Sequence, residues 1–250
     1  LTGVLYFPKI RQDIDPRRNN IQLYSRQVFI TDEVSQIVPD YLMLLQGVID
    51  SPDIPLNVSR SYLQGDHNVK KISGYITRKA ADKLKEIFFD DRAMFEENWK
   101  YINAFVKYGM ITDEKFAEKA EKFTLVQNVD ENYFTFTEYK EKVAEKQTDK
   151  DENVIFLYTS DRKEQDMFIH AAEAEGYDTL AKEGVIDNHF IDALERKHEK
   201  TRIVRVDSDT VDKLIPRSEE EDKDEGEGEG LTLTEDQENK IMEVFTNAIS

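Results

Sequence analysis

The residues of this chain best placed to do chemistry lie in Ile54-Pro55-Leu56-Asn57-Val58-Ser59-Arg60-Ser61-Tyr62-Leu63-Gln64. Here a proline-set apolar stretch turns polar and presents an arginine just before a long helix is expected. With Leu56, Val58 and Leu63 as buried neighbours, Arg60 would be a rigid, always-charged fork of five donors, able to reach a phosphate on another domain. The alternative, on the residues alone, is a surface arginine paired with one of the many carboxylates, an arrangement worth little energetically.

Other constellations are poor in chemistry. The histidines, His67, His170, His189 and His198, fall in different elements at spacings that suit no helical metal pair, so no metal site is expected. With 52 Asp and Glu residues, carboxylate pairs such as Asp90-Asp91 arise by chance and do not indicate glycosidase-type chemistry. A Gly-x-Gly-x-Gly at 226–230 is filled with glutamates that repel phosphate, and it follows no strand, so it is read as linker. Neither a Gly-x-Ser-x-Gly elbow nor a Walker lysine occurs, and a self-contained active site is not visible.

The elements that must position Arg60 follow from composition and period. A chain of 250 residues, 39% hydrophobic and 34% charged, fits two modest domains with linkers and a heavily solvated surface. A net charge of −18 with no concentrated basic patch argues against nucleic acid and anionic lipid as partners. The absence of cysteine fits a reducing compartment. No run has the length of a membrane span and no signal-peptide pattern opens the chain, so a cytoplasmic protein is expected. Because it begins at Leu1 and stops at Ser250 inside an expected helix, the chain is read as an excised piece of a longer protein.

The expected fold class is α/β (α+β): two αβα-type units joined by a helical connector, then an acidic linker and a terminal helix. The first unit is placed at residues 1–88. It opens with a hairpin of Val4–Phe7 and Ile21–Ile30 around a polar tip, Asp13 to Asn20. A helix through Val34, Ile37, Val38, Tyr41, Leu42, Leu45 and Val48 follows, ended by Ser51-Pro52. From Asp66, the positions Val69, Ile72, Ile76, Ala80, Leu84 and Ile87 mark one face of a long helix, broken at Asp90-Asp91. The connector, 89–150, carries a helix through Phe95, Trp99, Ile102 and Val106 with Gly109 as a left-handed stop. Shorter helices are expected over Thr112–Lys122 and Thr137–Lys146.

Residues 151–215 alternate strand, helix, strand, helix, strand, which implies a small parallel sheet with right-handed crossovers. Val154–Tyr158 is a strand buried on both faces. Asp161 with Glu164 caps a helix holding Met167, Phe168 and Ala171, and Gly176 closes it. Tyr177–Leu180 and Thr201–Val206 are strands, and Asp187 caps a helix through Phe190, Ile191 and Leu194. Residues 216–230 are a linker, since 217–230 hold eight acids, two bases and three glycines and cannot bury enough surface to order. In 231–250 the box Thr234-Glu235-Asp236-Gln237 opens a helix with Ile241, Val244, Phe245 and Ala248 on one side.

Several blocks closely resemble the middle domain of the heat-shock protein 90 chaperones, in their bacterial branch. They are Val28-Phe29-Ile30-Thr31-Asp32, Ile37-Val38-Pro39-Asp40-Tyr41-Leu42, Gly47-Val48-Ile49-Asp50-Ser51 and Pro55 to Gln64, in the family's order and spacing. The match is strong over residues 1 to about 110; beyond that it is one of organisation, with 231–250 opening the family's C-terminal dimerisation domain. The resemblance implies that Arg60 is the arginine that moves to the γ-phosphate of ATP, that Asn57 and Gln64 flank it, and that Phe29 supports the loop from the adjoining strand. It implies ATP and Mg2+ held by the N-terminal domain of a full-length homodimeric ATPase, with this chain alone inactive. The partners implied are unfolded or partly folded client proteins and the parent's own N-terminal and C-terminal domains.

The resemblance has gaps. The chain is expected to begin partway into the middle domain, without the family's first strands. Where the family often opens the second helix of the small unit with an acidic-aromatic pair facing clients, Asn188-His189 stands, with Asp192 one turn on. A client site there competes with His189 as an ordinary surface or half-buried histidine. Two further functions compete with a chaperone: a non-catalytic interaction scaffold whose Arg60 loop docks an acidic partner, and a small-ligand domain in 153–207 binding an anion at Thr159-Ser160-Asp161.

Overall fold

The computed structural model describes residues 1–8, 21–32, 34, 37–54, 67–182 and 184–215. The chain divides into a unit Leu1–Ile215 and a unit Pro216–Ser250. The second unit, with the expected linker and terminal helix, lies outside the described residues. The first is mixed α/β, as expected, with two sheets.

The first sheet contains β1 (Thr2–Tyr6), β2 (Ile21–Ser25), β3 (Val28–Thr31) and β4 (Gln46–Asp50) in the order β1-β4-β2-β3. The hairpin expected between the first two strands does not form, because β4 lies between them, antiparallel to β1 and parallel to β2. The helix expected over 34–48 is likewise replaced, by a 3₁₀ turn at Asp40–Leu42 and by β4. Pro39 interrupts the helical period, and Gly47 supplies what a strand needs there. Its φ is +137°, and a Cβ at this position would stand 1.9 Å from the Val4 carbonyl oxygen of β1. Val48, counted as inward on a helix, is 42% exposed on the open face of the sheet.

Two long helices cover the other face: α1 (His67–Asp90) and α2 (Arg92–Thr112). Both follow the expected period, with Val69, Ile72, Ile76 and Leu84 of α1 and Phe95, Trp99, Ile102 and Val106 of α2 joining Ile21, Leu23 and Ile49 in one core. Asp91 separates the helices and caps the second by accepting from the Met94 amide. Gly109 is not a left-handed stop, since α2 continues past it to Thr112. It is a point of close approach: a Cβ there would meet the Tyr41 ring at 2.7 Å and the Phe116 ring at 2.8 Å. Tyr41 in turn donates to Asp113 Oδ2 (2.7 Å), while Asp113 Oδ1 accepts from the Phe116 amide and caps α3 (Glu114–Ala120). Burial raises the Tyr41 hydroxyl far above its ordinary value, so it stays a donor to that carboxylate.

The second sheet has five strands in the order β6-β5-β8-β7-β9. The strands β7 (Val154–Thr159), β8 (Thr179–Ala181) and β9 (Thr201–Arg205) run parallel, as the alternation predicted. β5 (Leu125–Asn128) and β6 (Tyr133–Thr135) extend the sheet antiparallel, and both come from the stretch expected to be helical connector. Their apolar residues are too few to show a period, and the edge is fixed by tertiary pairing. α4 (Phe136–Val143) opens with a capping box of Thr135 and Glu138. Through Phe136 and Tyr139 it packs on one face of β7, with Phe190 and Leu194 of α6 (Ile186–Lys197). On the other face Ile155 and Leu157 meet Ile169 and Ala172 of α5 (Asp166–Ala174) and Leu214 of α7 (Val211–Leu214). The inward residues of α5 differ from those expected: Met167 is 73% exposed. Asp161 caps the turn before α5, accepting from the Lys163 and Glu164 amides, rather than α5 itself. Gly176, with φ +77°, closes the helix as predicted.

Arg92 joins the two halves. Its guanidinium donates to both oxygens of Glu138 (3.0 Å each) and to Glu96, and lies over the Phe88 ring. At the far end of α6, His198 stacks on Phe136 (3.9 Å between centroids), with Nε2 3.0 Å from Glu121 Oε1.

Two stability predictions follow from this packing. Gly109→Ala gains helix propensity, about 1 kcal/mol, but forces two packed rings apart at a cost of about 1–3 kcal/mol. The expected net result is a fall of a few degrees in Tm by calorimetry. Burial is the main cause holding His198 below its ordinary value, with Lys197 and Lys140 adding to it and Glu121 opposing. The unfolded chain therefore binds that proton more tightly, so this site's contribution is full above about pH 6.5 and is lost as the pH falls through the lower folded value. His198→Gln should flatten the urea midpoint between about pH 7.5 and 5.5 relative to wild type.

Candidate functional site

The loop that carries Arg60 starts where two parallel strands end together. Tyr24 of β2 is in register with Asp50 of β4. Beyond β4 the Ser51 amide donates to the Tyr24 carbonyl (3.0 Å), and the buried Ser25 hydroxyl donates to the Ile54 carbonyl (2.6 Å). Residues 51–54 thus fold back onto the end of β2, and Ile54, 1% exposed, is sunk in the core. On the far side the chain re-enters at α1, where Val69 is buried. The described residues on either side of 55–66, Ile54 and Val69, therefore belong to one hydrophobic core. Arg60, Asn57 and Gln64, with the expected neighbours Leu56, Val58 and Leu63, lie outside the described residues.

Phe29 is described. It stands on edge strand β3, 51% exposed, with its ring edge-on to Tyr24 (5.7 Å, 76°). Tyr24 of β2 is also the residue whose carbonyl holds Ser51, so the aromatic pair joins β3 to the strand that holds the chain just beyond β4. Asp50 Oδ2 accepts from the Gln27 amide of the β2–β3 turn. Its other oxygen, like Ser51 Oγ, is buried with no hydrogen-bond partner among the described residues.

The first two turns of α6 hold the second set of expected residues. Asn188, His189 and Asp192 are all exposed, which settles the alternative of a half-buried His189 in favour of the surface. Asn188 Oδ1 accepts from Lys182, whose ammonium lies 5.6 Å from the centre of the Tyr158 ring. Asp187 does not cap the helix: it lies inside the first turn, buried, with Oδ1 2.7 Å from Lys107 Nζ of α2 and Oδ2 accepting from the Gly184 amide. This Lys107–Asp187 pair, 80 residues apart, has no signature in the sequence.

At the carboxyl end of β7 the donors that an anion would need are already engaged. Gln165 Oε1 accepts from the Thr159 hydroxyl (2.7 Å), the Ser160 amide (2.9 Å) and the Asp161 amide (3.3 Å). The Asp161 carboxyl, held below the usual carboxylate range by the Glu164 and Lys163 amides, adds a negative charge at the same place. The small-ligand reading loses its site.

Among the described residues no group of three or more His, Asp or Glu side chains is arranged to hold a metal ion. A groove of about 560 Å³ runs beside β1, walled by Leu5, Leu45, Ile49, Ile76 and Leu84, with Lys79 and Lys83 at its margin. Its apolar wall does not suit a nucleotide with its metal. No described helix is long and apolar enough to cross a membrane.

Comparisons with known proteins place these features. The family model for "Hsp90 protein" matches residues 2–250. Chaperone protein HtpG of Porphyromonas gingivalis is 56% identical over 219 residues, covering 88% of this chain and 32% of that protein. HtpG of Bacteroides fragilis is 53% identical over the same shares, and the endoplasmin homolog of Caenorhabditis elegans 32% identical over 84% of this chain and 28% of its own length. The chain thus spans about a third of the length of the curated relatives it matches. In structure it is similar to the middle domain of a Plasmodium falciparum heat shock protein, with a TM-score of 0.61 at 19% identity, covering 83% of this chain and 82% of that one. With a family model matched along nearly its whole length and a middle-domain fold, this chain belongs to the Hsp90 family.

Proposed function

We propose that this chain is the middle segment of an ATP-dependent molecular chaperone, supplying the arginine that contacts the ATP γ-phosphate and part of the client surface. The observation that carries this is the loop base. A segment with an arginine at its centre is tied at one end to the parallel β2–β4 strand ends and at the other to α1. Such anchoring suits a residue that must arrive in one orientation. Its guanidinium would stabilise charge on the transferred phosphoryl group and couple hydrolysis to domain closure. In this reading Asn57 and Gln64 orient the loop, and Phe29 packs beneath it.

ATP with Mg2+, bound by the parent's N-terminal domain, supplies the phosphoryl group. Residues 1–88 form the part bearing the loop, 89–150 the helices between the sheets together with the β5–β6 edge of the second, 151–215 the part carrying Asn188, His189 and Asp192, and 231–250 the entry to a dimerisation domain. The partners are unfolded or partly folded proteins and the parent's own flanking domains in a cytoplasmic homodimer.

The test is steady-state ATP hydrolysis by the full-length parent, wild type against Arg60→Ala, with ATP affinity measured in parallel. A loss of roughly tenfold or more at unchanged affinity is expected for a residue acting in the transition state. A change below about twofold would return Arg60 to a surface ion pair and leave the segment a scaffold.

A further inference from the structure

α6 meets α2 through a buried ion pair directly beneath its exposed first turn. The side chains of Lys107 and Asp187 are 4% and 6% exposed, with 2.7 Å between Nζ and Oδ1. The ammonium also stands 5.6 Å from the centre of the Phe190 ring, one turn along α6. The second carboxylate oxygen takes the Gly184 amide, so one side chain ties both the incoming chain and the helix to α2.

Among the described residues this end of α6 also has the Asn188–Lys182 bond at the surface and the inward Phe190 ring, but no side-chain cap. The N-cap residue is Val185, which offers no side-chain cap and is itself 84% exposed. A small cleft of about 30 Å³, lined by Lys107, Asp187, Phe190, Tyr158 and Lys182 among others, adjoins the pair. The opposite end is held differently, by Leu194 in the core and by Lys197 bonded to Glu121. Buried ion pairs add little net stability relative to apolar replacements, but they are directional, and a helix end without a side-chain cap gains a defined angle from one.

We propose that the Lys107–Asp187 pair is a positioning latch that holds the first turn of α6, and with it Asn188, His189 and Asp192, at one angle to α2. Since α2 is also part of the first core, the latch fixes the client-facing turn relative to the body that bears the Arg60 loop. This function of the latch rests on the reading of that turn as client surface.

The test uses the 250-residue chain and two readouts: amide hydrogen exchange resolved by residue, and affinity for reduced, carboxymethylated α-lactalbumin as a permanently unfolded probe. In Asp187→Asn, exchange over residues 184–191 should rise about tenfold while β7 is unchanged, and the probe should bind about fivefold more weakly. Lys107→Arg, which keeps the charge, should stay near wild type in both. Should the single variant unfold, Lys107→Met/Asp187→Asn removes both charges together and should keep the fold while showing the same local exchange and weakened binding. Exchange that is unchanged, or raised uniformly across the second sheet, overturns the latch. A combined Asn188→Ala/His189→Ala/Asp192→Ala variant separates the two claims. If it weakens probe binding while the latch variants do not, the surface stands and the latch is overturned. If it binds like wild type, the client surface fails, and the latch's function with it.

Discussion

The architecture depends on α2 being buried against two bodies at once. Phe95, Trp99 and Val106 close the core under the first sheet, while Met110 and Ile111 near its end pack against the core of the second. A helix so shared cannot shift against one body without disturbing the other, because close-packed side chains have few alternative arrangements. Its polar contacts reinforce this. Arg92 at its start grips Glu138 of α4, and Lys107 near its end grips Asp187 of α6. Gly109 exists to let Tyr41 and Phe116 approach the helix backbone.

Residues 51–54, the segment that leads into 55–66, rest on the ends of β2 and β4, whose inner faces lie on α1 and α2. The serines that fasten it, Ser25 and Ser51, are fully buried, so their backbone and hydroxyl bonds work where competition from water is small. Tyr24, whose carbonyl accepts from the Ser51 amide, also meets the exposed Phe29 ring edge-on.

Legibility tracked how local each determinant was. The faces of α1 and α2 and the doubly buried β7 could be read because long runs repeat one period. Val34 to Val48 mimicked a helix because seven apolar residues happen to fall at helical spacing, and only Pro39 and Gly47 signal the turn and strand that form instead. β5 and β6 were unreadable, since Gln127, Asn128, Asp130 and Glu131 look like loop; the two pair with each other, but β5 joins them to the sheet through β8, some 50 residues on. Arg60 stood out by its setting and by family resemblance. The Lys107–Asp187 pair did not, because a lysine on one helix and an aspartate on another announce nothing until the fold brings them together.

The most direct test of the central claim is a structure of the full-length parent trapped with a non-hydrolysable ATP analogue. The account predicts the Arg60 guanidinium within about 3 Å of a γ-phosphate oxygen, with Phe29 beneath the loop. Arg60 paired instead with a surface carboxylate of its own domain, while the nucleotide sits in a closed dimer, would contradict it.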